Sequence, residues 1–210
     1  FQLMRLPATT IARLSKYRRM LGSFNYGSAH IFSHNLAKLL NLTPEQVRRD
    51  LMLIGLTGNH RKGYNIKELI DLVSKTIDSE KGHNVAIVGM GNLGMAVTAF
   101  IRRAKTRLNI VAAFDIDSGK IGKKVADVTC YHVNDISEIV RDLSISIAVL
   151  TVPPGEAIGV ATLLIKSGIK GILNFTSVHI DVPPHVYLKE TNIITSLEEI
   201  GFFIKEENNK

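Results

Sequence analysis

The chain has 210 residues, of which 45% are hydrophobic, and a formal net charge of +7, so it can form a sizeable core in one large domain or two small ones. No apolar run approaches the roughly 20 residues that span a bilayer, and the chain opens without a basic and then apolar leader. We therefore expect a soluble, cytoplasmic protein without a membrane partner. Cys130 is the one cysteine, which excludes an intramolecular disulfide and a cysteine-based zinc site.

The positive charge is concentrated in the first part of the chain. Residues 1–82 contain 13 lysines and arginines against 6 acidic residues, whereas residues 83–210 contain 13 of each. Such an asymmetry favours a polyanionic partner for the basic part. A merely solvated basic surface is the simpler alternative.

Three predicted helices open the basic part. Residues 7–23 carry apolar side chains at helical spacing and predict the first helix. Ser33 is expected to cap a short second helix. The third has the clearest boundaries, because Thr43 as N-cap with Gln46 three residues later is a capping box, and Gly55 stops the helix.

The third helix has two contrasting faces. Its apolar residues recur at i, i+4 and i+7, and Arg48, Arg49 and Met52 lie on the opposite side. Two short helices joined by a tight turn, the second with an arginine-rich outer face, are typical of a helix-turn-helix. That geometry lets the second helix enter a major groove while its arginines reach guanine edges or phosphates.

A hairpin with glycines on either side of a basic tip follows at residues 56–66. Tyr64 and Ile66 can point back toward the core, which suits the wing of a winged helix. No metal is expected, because the histidines of this part have no paired ligand spacing. The residues we assign to a double-stranded DNA interface are Ser33, Gln46, Arg48, Arg49, Met52, Arg61, Lys62 and Tyr64.

Residues 85–94 form a dinucleotide-binding turn, in which an apolar strand runs into G-x-G-x-x-G and an apolar helix start. Gly89 permits the tight turn, Gly91 lets the backbone approach a pyrophosphate, and Gly94 lets helix and strand pack closely. The helix N-terminus then faces the anion.

The next buried strand ends in Asp115, 21 residues after Gly94. A carboxylate at this place can hydrogen-bond an adenine-ribose 2′-hydroxyl and repel a 2′-phosphate, which favours NAD over NADP. Lys120, Lys123 and Lys124 follow closely and soften that preference.

Strands and helices alternate through the rest of the chain. An edge strand at 128–133, a helix at 135–142, a strand at 145–152, a crossover helix at 155–167 and a strand at 169–175 predict a doubly wound parallel sheet of the Rossmann type. The loop after the strand at 145–152 is either a ligand loop at a carboxyl end or an ordinary turn. The expected cofactor-binding residues are Gly89, Met90, Gly91, Asn92, Leu93, Gly94, Asp115, Ile116, Lys120, Thr151, Val152 and Pro153.

Ser196 is expected to cap a last amphipathic helix, with Glu199 completing a capping box. So short a helix is marginal alone in water and must dock on its own domain or on a partner chain. Only 35 residues follow Phe175, too few for the substrate domain of a dehydrogenase, and no catalytic constellation is present. A sensor is therefore favoured over an enzyme.

Taken together, these patterns resemble the Rex family of redox-sensing transcriptional repressors nearly from end to end. The resemblance implies a homodimer with a winged-helix domain at 1–82, an NAD(H)-binding Rossmann domain at 83–192 and a helix at 193–210 swapped onto the partner. It also implies binding to operator DNA when NADH is scarce and release when NADH rises. The matching stretches are Ile11–Leu14 with Tyr17, Gln46–Leu51, Gly63-Tyr64, Gly89–Gly94, Phe114–Asp117, Leu150–Pro153 and Gly171–Phe175.

Departures from the family pattern concern the operator and the switch. Residues 52–54 are Met-Leu-Ile where the family usually has Ser-Tyr-Phe, which predicts a different operator preference. Phe100 stands in place of a tyrosine, and Asn192, followed by Ile193, stands in place of an aspartate. In the family that pair helps to couple the nicotinamide state to an arginine, matched here by Arg19. Phe100 cannot donate a hydrogen bond and Asn192 carries no charge, so the switch chemistry is open.

Three alternatives stay open at this point. The chain could be an NAD-dependent dehydrogenase with an accessory basic domain. It could be a regulator whose second domain binds coenzyme A or another nucleotide. It could also be a DNA-binding protein that keeps the cofactor as a structural element and does not respond to redox state.

Overall fold

The computed structural model describes residues 6–23, 29–59, 61–104 and 106–207. The chain divides into two compact units, Phe1–Glu80 and Lys81–Lys210, called here the N-terminal unit and the C-terminal unit. Among the residues described, no helix has the length and apolar character needed to cross a membrane.

The N-terminal unit is a small helical domain with a short hairpin. Its core is formed by the apolar faces of all the helices and by Tyr64 of the hairpin. The helix-turn-helix and the hairpin closed by the pairing of Asn59 with Gly63 together make the winged helix expected from the sequence. Its elements are α1 (Ala8–Ser23), β1 (His30–Ile31), α2 (Ser33–Leu40), α3 (Pro44–Leu53), β2 (Tyr64–Asn65) and α4 (Ile66–Ile77), with β1 and β2 antiparallel.

Helix boundaries in this unit follow the local chemistry with one correction. The capping box of Thr43 and Gln46 is present, with both hydrogen bonds at 3.2 Å, and Gly55 leaves the helical region with φ +83°. The prediction that Ser33 caps α2 is wrong, because Phe32 is the N-cap residue and Ser33 is already the first helical residue. The Ser33 hydroxyl is thereby free to accept a hydrogen bond from another helix.

The C-terminal unit is built on one seven-stranded sheet of order β5-β6-β4-β3-β7-β8-β9. All neighbouring strands are parallel except β5 and β6. The strands are β3 (His83–Val88), β4 (Leu108–Asp115), β5 (Lys124–Val125), β6 (Val128–His132), β7 (Ile145–Leu150), β8 (Gly171–Asn174) and β9 (Tyr187–Glu190), and the helices are α5 (Asn92–Arg103), α6 (Ile136–Asp142), α7 (Pro154–Lys166) and α8 (Ile193–Glu207).

Both faces of this sheet are covered, as a doubly wound fold requires. Along β3, Val85 and Ile87 join one apolar cluster, whereas Ala86 and Val88 join the other. Because side chains alternate along a strand, the two clusters lie on opposite faces. The predicted doubly wound α/β fold is confirmed.

Several predicted boundaries in the C-terminal unit are corrected. β6 is not an edge strand, since β5 pairs with it through a turn in which Ala126 and Asp127 have φ of 49° and 62°. β9 is an additional strand parallel to β8, and its short, mostly exposed sequence Tyr-Leu-Lys-Glu shows no apolar alternation to detect. The last helix begins at Ile193, so Ser196 lies inside it and is not its cap as predicted.

Asn192 performs the capping function that the sequence analysis assigned to Ser196. Its Oδ1 accepts hydrogen bonds from the backbone N–H of Ile194 at 2.9 Å and of Thr195 at 3.3 Å. The hydroxyl of Ser196 instead donates to the Asn192 carbonyl from inside the first turn. The chain therefore enters α8 through an asparagine cap.

Candidate functional site

The glycine turn lies where the sheet reverses its strand order. β3 is flanked by β4 on one side and by β7 on the other, and the turn after β3 leads into α5. The Gly89 N–H donates to the Phe114 carbonyl at 2.8 Å, and the Thr151 N–H donates to the Val88 carbonyl at 2.9 Å. The turn is thus held between the carboxyl ends of three strands, the place where open α/β sheets bind ligands.

Each glycine of the turn meets a different environment. Gly89 has φ +96°, and a Cβ there would lie 2.7 Å from the Thr151 carbonyl oxygen. A Cβ on Gly94 would collide with the Gly89 carbonyl oxygen, whereas a Cβ on Gly91 would have no heavy atom within 4 Å. Gly89 and Gly94 are therefore required by the fold, and Gly91 keeps open the space in front of the helix.

That space lies in front of the first turn of α5. Gly91 is the N-cap of α5 and supplies no side-chain hydrogen bond, and Asn92 and Leu93 are exposed. The N–H groups of a first helical turn without a side-chain cap are donors directed at whatever lies in front, and the helix dipole favours an anion there.

Asp115, at the end of β4, binds the backbone of the turn through its side chain. It is only 9% exposed. Its Oδ2 accepts from the Met90 N–H at 2.8 Å and from Lys120 Nζ at 2.9 Å, and its Oδ1 accepts from the Asp117 N–H at 2.9 Å. A carboxylate has about four acceptor positions, so capacity remains for one ribose hydroxyl.

The charge of Asp115 is kept by these donors. Burial alone would raise the pKa of this carboxyl, but the hydrogen bonds from the Asp117 N–H, Lys120 and the Met90 N–H lower it below its usual range. The pKa of Lys120 is raised, mainly by its hydrogen bond to Asp115. Lys120 thus acts on Asp115 directly, which partly neutralises the carboxylate that would discriminate against a 2′-phosphate.

The remaining predicted cofactor residues fall into two groups. Met90 is fully buried and Thr151 donates its hydroxyl to the carbonyls of Val88 and Gly89 at 3.0 and 2.7 Å, so both brace the turn. Ile116 is 71% exposed beside Asp115, and Val152 and Pro153 follow β7 with partial or full exposure. The second group is therefore accessible at the carboxyl ends of β4 and β7.

In the N-terminal unit, α3 presents the arginine-rich face predicted from its sequence. Arg48, Arg49 and Met52 are exposed, whereas the opposite face is buried. Arg48 is held by two acceptors, Ser33 Oγ at 3.2 Å and Glu45 Oε1 at 2.6 Å. Ser33 therefore supports an arginine of α3 from the preceding helix.

A buried polar network that the sequence analysis did not assign fixes α3 against α1. Asp50 is 1% exposed and accepts two hydrogen bonds from Arg13, at 2.6 and 2.8 Å, and one from Tyr17 Oη at 2.7 Å. Burial would raise the pKa of Asp50, but the bonds from Arg13 and Tyr17 lower it below its usual range. The available signal was an aspartate on the apolar side of α3, between Val47 and Leu51.

The wing tip is ordered by one asparagine. Asn59 Oδ1 accepts from the backbone N–H of Arg61 at 2.8 Å and of Lys62 at 3.1 Å, and Asn59 pairs with Gly63. Arg61 and Lys62 are exposed. Tyr64, assigned above to the DNA interface, is only 7% exposed and belongs to the core, so its position does not support a direct contact.

The four residues assigned to the switch lie in both units. Arg19 is exposed on α1 of the N-terminal unit. In the C-terminal unit Phe100 is 70% and Ile193 57% exposed, while Asn192 caps α8. Within the described residues no group of histidine, cysteine and carboxylate side chains could hold a metal ion.

A winged helix in one unit and a dinucleotide-type glycine turn in the other define a class of DNA-binding regulators that respond to a bound nucleotide. Residues 80–178 match the family described as "CoA binding domain", and residues 5–51 match the family described as "Putative DNA-binding protein N-terminus".

Curated relatives cover almost the whole chain. The Redox-sensing transcriptional repressor Rex of Listeria welshimeri is 36% identical over 202 residues, which are 96% of this chain and 94% of the relative. The protein of the same name from Carboxydothermus hydrogenoformans is 36% identical over 204 residues, covering 97% and 98%. The chain belongs to the Rex family of redox-sensing transcriptional repressors.

Solved structures agree with this placement. RSP, a Rex-family repressor, is 30% identical and superposes with a TM-score of 0.85 over 97% of this chain and 95% of its own. RSP has been crystallised in complex with NADH, where the TM-score is 0.86 and the coverage is 98% and 97%, and in complex with NAD⁺ and operator DNA. These relatives are repressors and not enzymes, which removes the dehydrogenase alternative.

Proposed function

We propose that this protein is a homodimeric transcriptional repressor that binds operator DNA when NADH is scarce and dissociates when NADH rises. One observation carries the proposal: the same chain has exposed arginines on the second helix of a helix-turn-helix and an open glycine turn next to the buried carboxylate of Asp115. RSP, similar over nearly its full length, binds NADH and operator DNA. A repressor acts where the chromosome lies, so we place this one in the cytoplasm.

DNA binding is assigned to α3 and the wing. In a helix-turn-helix the second helix enters the major groove, which would bring Arg48 and Arg49 to base edges or phosphates. Arg61 and Lys62 at the wing tip would then contact the neighbouring backbone or minor groove. The excess of positive charge in residues 1–82 supports DNA binding by this part of the chain, because phosphate neutralisation supplies much of the affinity.

Dinucleotide binding is assigned to the turn at 89–94 and to Asp115. Gly91 and the first turn of α5 would hold the pyrophosphate, and Asp115 a ribose hydroxyl. Bound there, NADH and NAD⁺ would differ by one charge on the nicotinamide ring. The partial neutralisation of Asp115 by Lys120 predicts a weaker discrimination against NADPH than an unpaired aspartate would give.

The homodimer is inferred from α8. Its apolar side chains are all more than half exposed in the single chain, although the helix has 15 residues and would be marginal alone in water. A second copy that receives this helix would cover the stripe, as the domain swap implied by the resemblance requires. The exposed residues are Ile193, Ile194, Leu197, Ile200, Phe202, Phe203 and Ile204.

A repressor of the same fold without redox discrimination is the second candidate. Phe100 is an exposed hydrocarbon ring, and the side-chain oxygen of Asn192 is engaged in capping α8. Neither side chain carries a charge that a change on the nicotinamide ring could attract or repel. A ligand shifts a two-state dimer only if it binds the two states unequally.

One experiment separates the two candidates. A palindromic operator duplex is titrated with the full-length protein, and fluorescence anisotropy follows dissociation by NADH and by NAD⁺ at fixed salt. Release by NADH at concentrations at least about tenfold lower than NAD⁺, which corresponds to about 1.4 kcal/mol, would support redox sensing. Equal release by both, or by neither, would contradict the redox response and leave DNA binding standing.

The match to a coenzyme A-binding family raises a separate question about the ligand. A thermal-shift comparison of NADH, NAD⁺, NADPH and coenzyme A, each at the same concentration, ranks them on the intact protein. We expect NADH to stabilise most. A larger thermal shift with coenzyme A would mean that coenzyme A is the ligand in place of NADH, and would leave the fold and the DNA-binding assignment unchanged.

A further inference from the structure

The outer face of α3 carries one large apolar side chain among its charges. Met52 is 66% exposed, whereas the other exposed large apolar residues in the described part of the N-terminal unit, Ile11, Phe32 and Leu39, are 38–43% exposed. Single exposed apolar residues are common on protein surfaces. Met52 differs from the others because it lies on the same face of α3 as Arg48 and Arg49, the face assigned to DNA.

The polar groups around Met52 are largely engaged. Arg48, one helical turn before Met52, is held by Ser33 and Glu45. Gln46 uses its carbonyl oxygen to accept from the Thr43 N–H in the capping box. Arg49 and Met52 are therefore the side chains of this face that are least committed to contacts within the protein.

The major groove offers one apolar group to such a side chain. Each base pair presents hydrogen-bond donors and acceptors there, and thymine alone adds a C5-methyl. A flexible thioether that loses water on entering the groove buries most apolar area, and so gains most free energy, when it packs against that methyl. We propose that Met52 reads a thymine methyl in each half of the operator, an inference that rests on the proposed DNA-binding function.

The helix geometry restricts where this thymine lies. Met52 is four residues after Arg48, about 6 Å further along the helix axis. Successive base pairs are about 3.4 Å apart. The thymine therefore lies within about two base pairs of the position that Arg48 contacts.

The test begins with the wild-type protein and needs no variant. A palindromic operator is selected from random duplexes with the full-length protein, and each symmetric pair of thymines is then replaced by deoxyuridine, which removes only the methyl. One pair is expected to weaken binding about 15-fold, since each buried methyl-sized group contributes about fourfold. Affinities are compared at one salt concentration.

Variants then assign the effect to Met52. Met52→Ala is expected to bind thymine and deoxyuridine duplexes equally at the sensitive position, whereas Met52→Leu keeps most of the preference. Ile11→Ala, a truncation of another exposed apolar residue of the N-terminal unit, should change neither affinity nor preference. Circular dichroism checks that each variant folds, as expected for positions with 66% and 43% exposure.

Two results would overturn the inference alone. One is an operator on which no deoxyuridine pair changes the affinity, and the other is a thymine preference that persists in Met52→Ala. Either would leave DNA binding intact. Failure to select any duplex would instead overturn the proposed function, and the inference with it.

Discussion

The two units hold their functional elements by different means. In the N-terminal unit, side chains orient α3: a buried carboxylate on the helix is bound by a guanidinium and a phenol of α1. In the C-terminal unit, backbone carbonyls and N–H groups of neighbouring strands hold most of the turn after β3, and the side chains of Asp115 and Thr151 add hydrogen bonds to it. The difference teaches that the first element is vulnerable to loss of a side chain and the second to the addition of one.

The largest expected effect comes from removing the carboxylate of Asp50. Asp50→Ala leaves the buried hydroxyl of Tyr17 and the guanidinium of Arg13, whose side chain is 22% exposed, without their shared acceptor. Each donor left unsatisfied costs about 1–3 kcal/mol, with the buried hydroxyl the more costly of the two. Hydrogen exchange at the amides of α1 and α3 measures the loss within the N-terminal unit. Exchange in β3 and β7 should stay unchanged if the two units unfold separately.

Asp78→Ala is the matched control for that prediction. Arg18 and Asp78 also join two helices of the N-terminal unit, at 2.7 Å, but both side chains are about a fifth exposed. A partly solvated pair of this kind contributes about 1 kcal/mol. Equal losses in the two variants would show that burial does not set the importance of the Asp50 network.

The second effect comes from adding a methyl group to the backbone-held turn. Gly94→Ala places a Cβ against the Gly89 carbonyl oxygen and 3.0 Å from Thr151 Oγ1. Overpacking against backbone costs about 1–3 kcal/mol and would displace the turn, so we expect loss of NADH binding together with faster exchange in β3. Calorimetric titration and hydrogen exchange measure the two consequences.

Gly91→Ala distinguishes the ligand cradle from the fold. Its Cβ would have no heavy atom within 4 Å, and its φ of −73° suits any residue, so stability should be unchanged. We expect NADH affinity to fall by at least about tenfold, because the methyl occupies the space that a pyrophosphate approaches. Unchanged affinity would contradict the assignment of Gly91 to the cofactor site.

A smaller effect is expected from acid. The pKa of Asp50 is lowered in the folded chain, so its stabilisation is complete above its unfolded pKa of about 3.9 and is lost as the pH falls through the lower folded pKa. The N-terminal unit should therefore lose stability below about pH 4. Asp50→Ala should lack this part of the acid-induced loss of stability. Urea unfolding of both proteins at pH 3 and pH 7 measures the difference. An equal loss of stability in acid for the variant would contradict the prediction.

Much of this architecture could be predicted from the sequence because caps and glycines leave local marks. Thr43, Gln46 and Gly55 determine the ends of α3 within a few residues, and the spacing of Gly89, Gly91 and Gly94 identifies the turn before any packing is known. The acid at the end of β4 was predicted by the same logic. What these residues bind in this chain stays a prediction.

The parts that were missed depend on contacts distant in sequence. Asp50 is 33 and 37 residues from Tyr17 and Arg13, so no window of sequence links them. The strand β9 carries no apolar alternation, since its pairing with β8 comes from the fold. Ser33 looked like a cap because it precedes an apolar helix, whereas its hydroxyl in fact accepts from Arg48.

The smallest effect concerns the start of α8, where a side chain binds the backbone directly. Asn192→Ala removes a side-chain acceptor from two backbone N–H groups, and loss of such a cap costs about 1 kcal/mol. Ser196→Ala, at the position the sequence favoured, removes only a 3.3 Å bond to a carbonyl and should cost less than about 0.5 kcal/mol. Hydrogen exchange at the first turn of α8 measures both. If the helix is swapped onto a partner chain, Asn192→Ala should also weaken the dimer, because a frayed first turn presents its apolar side chains to the partner less often. Sedimentation equilibrium measures the dimer affinity. An unchanged affinity would mean that the apolar side chains of α8 dock without help from the cap.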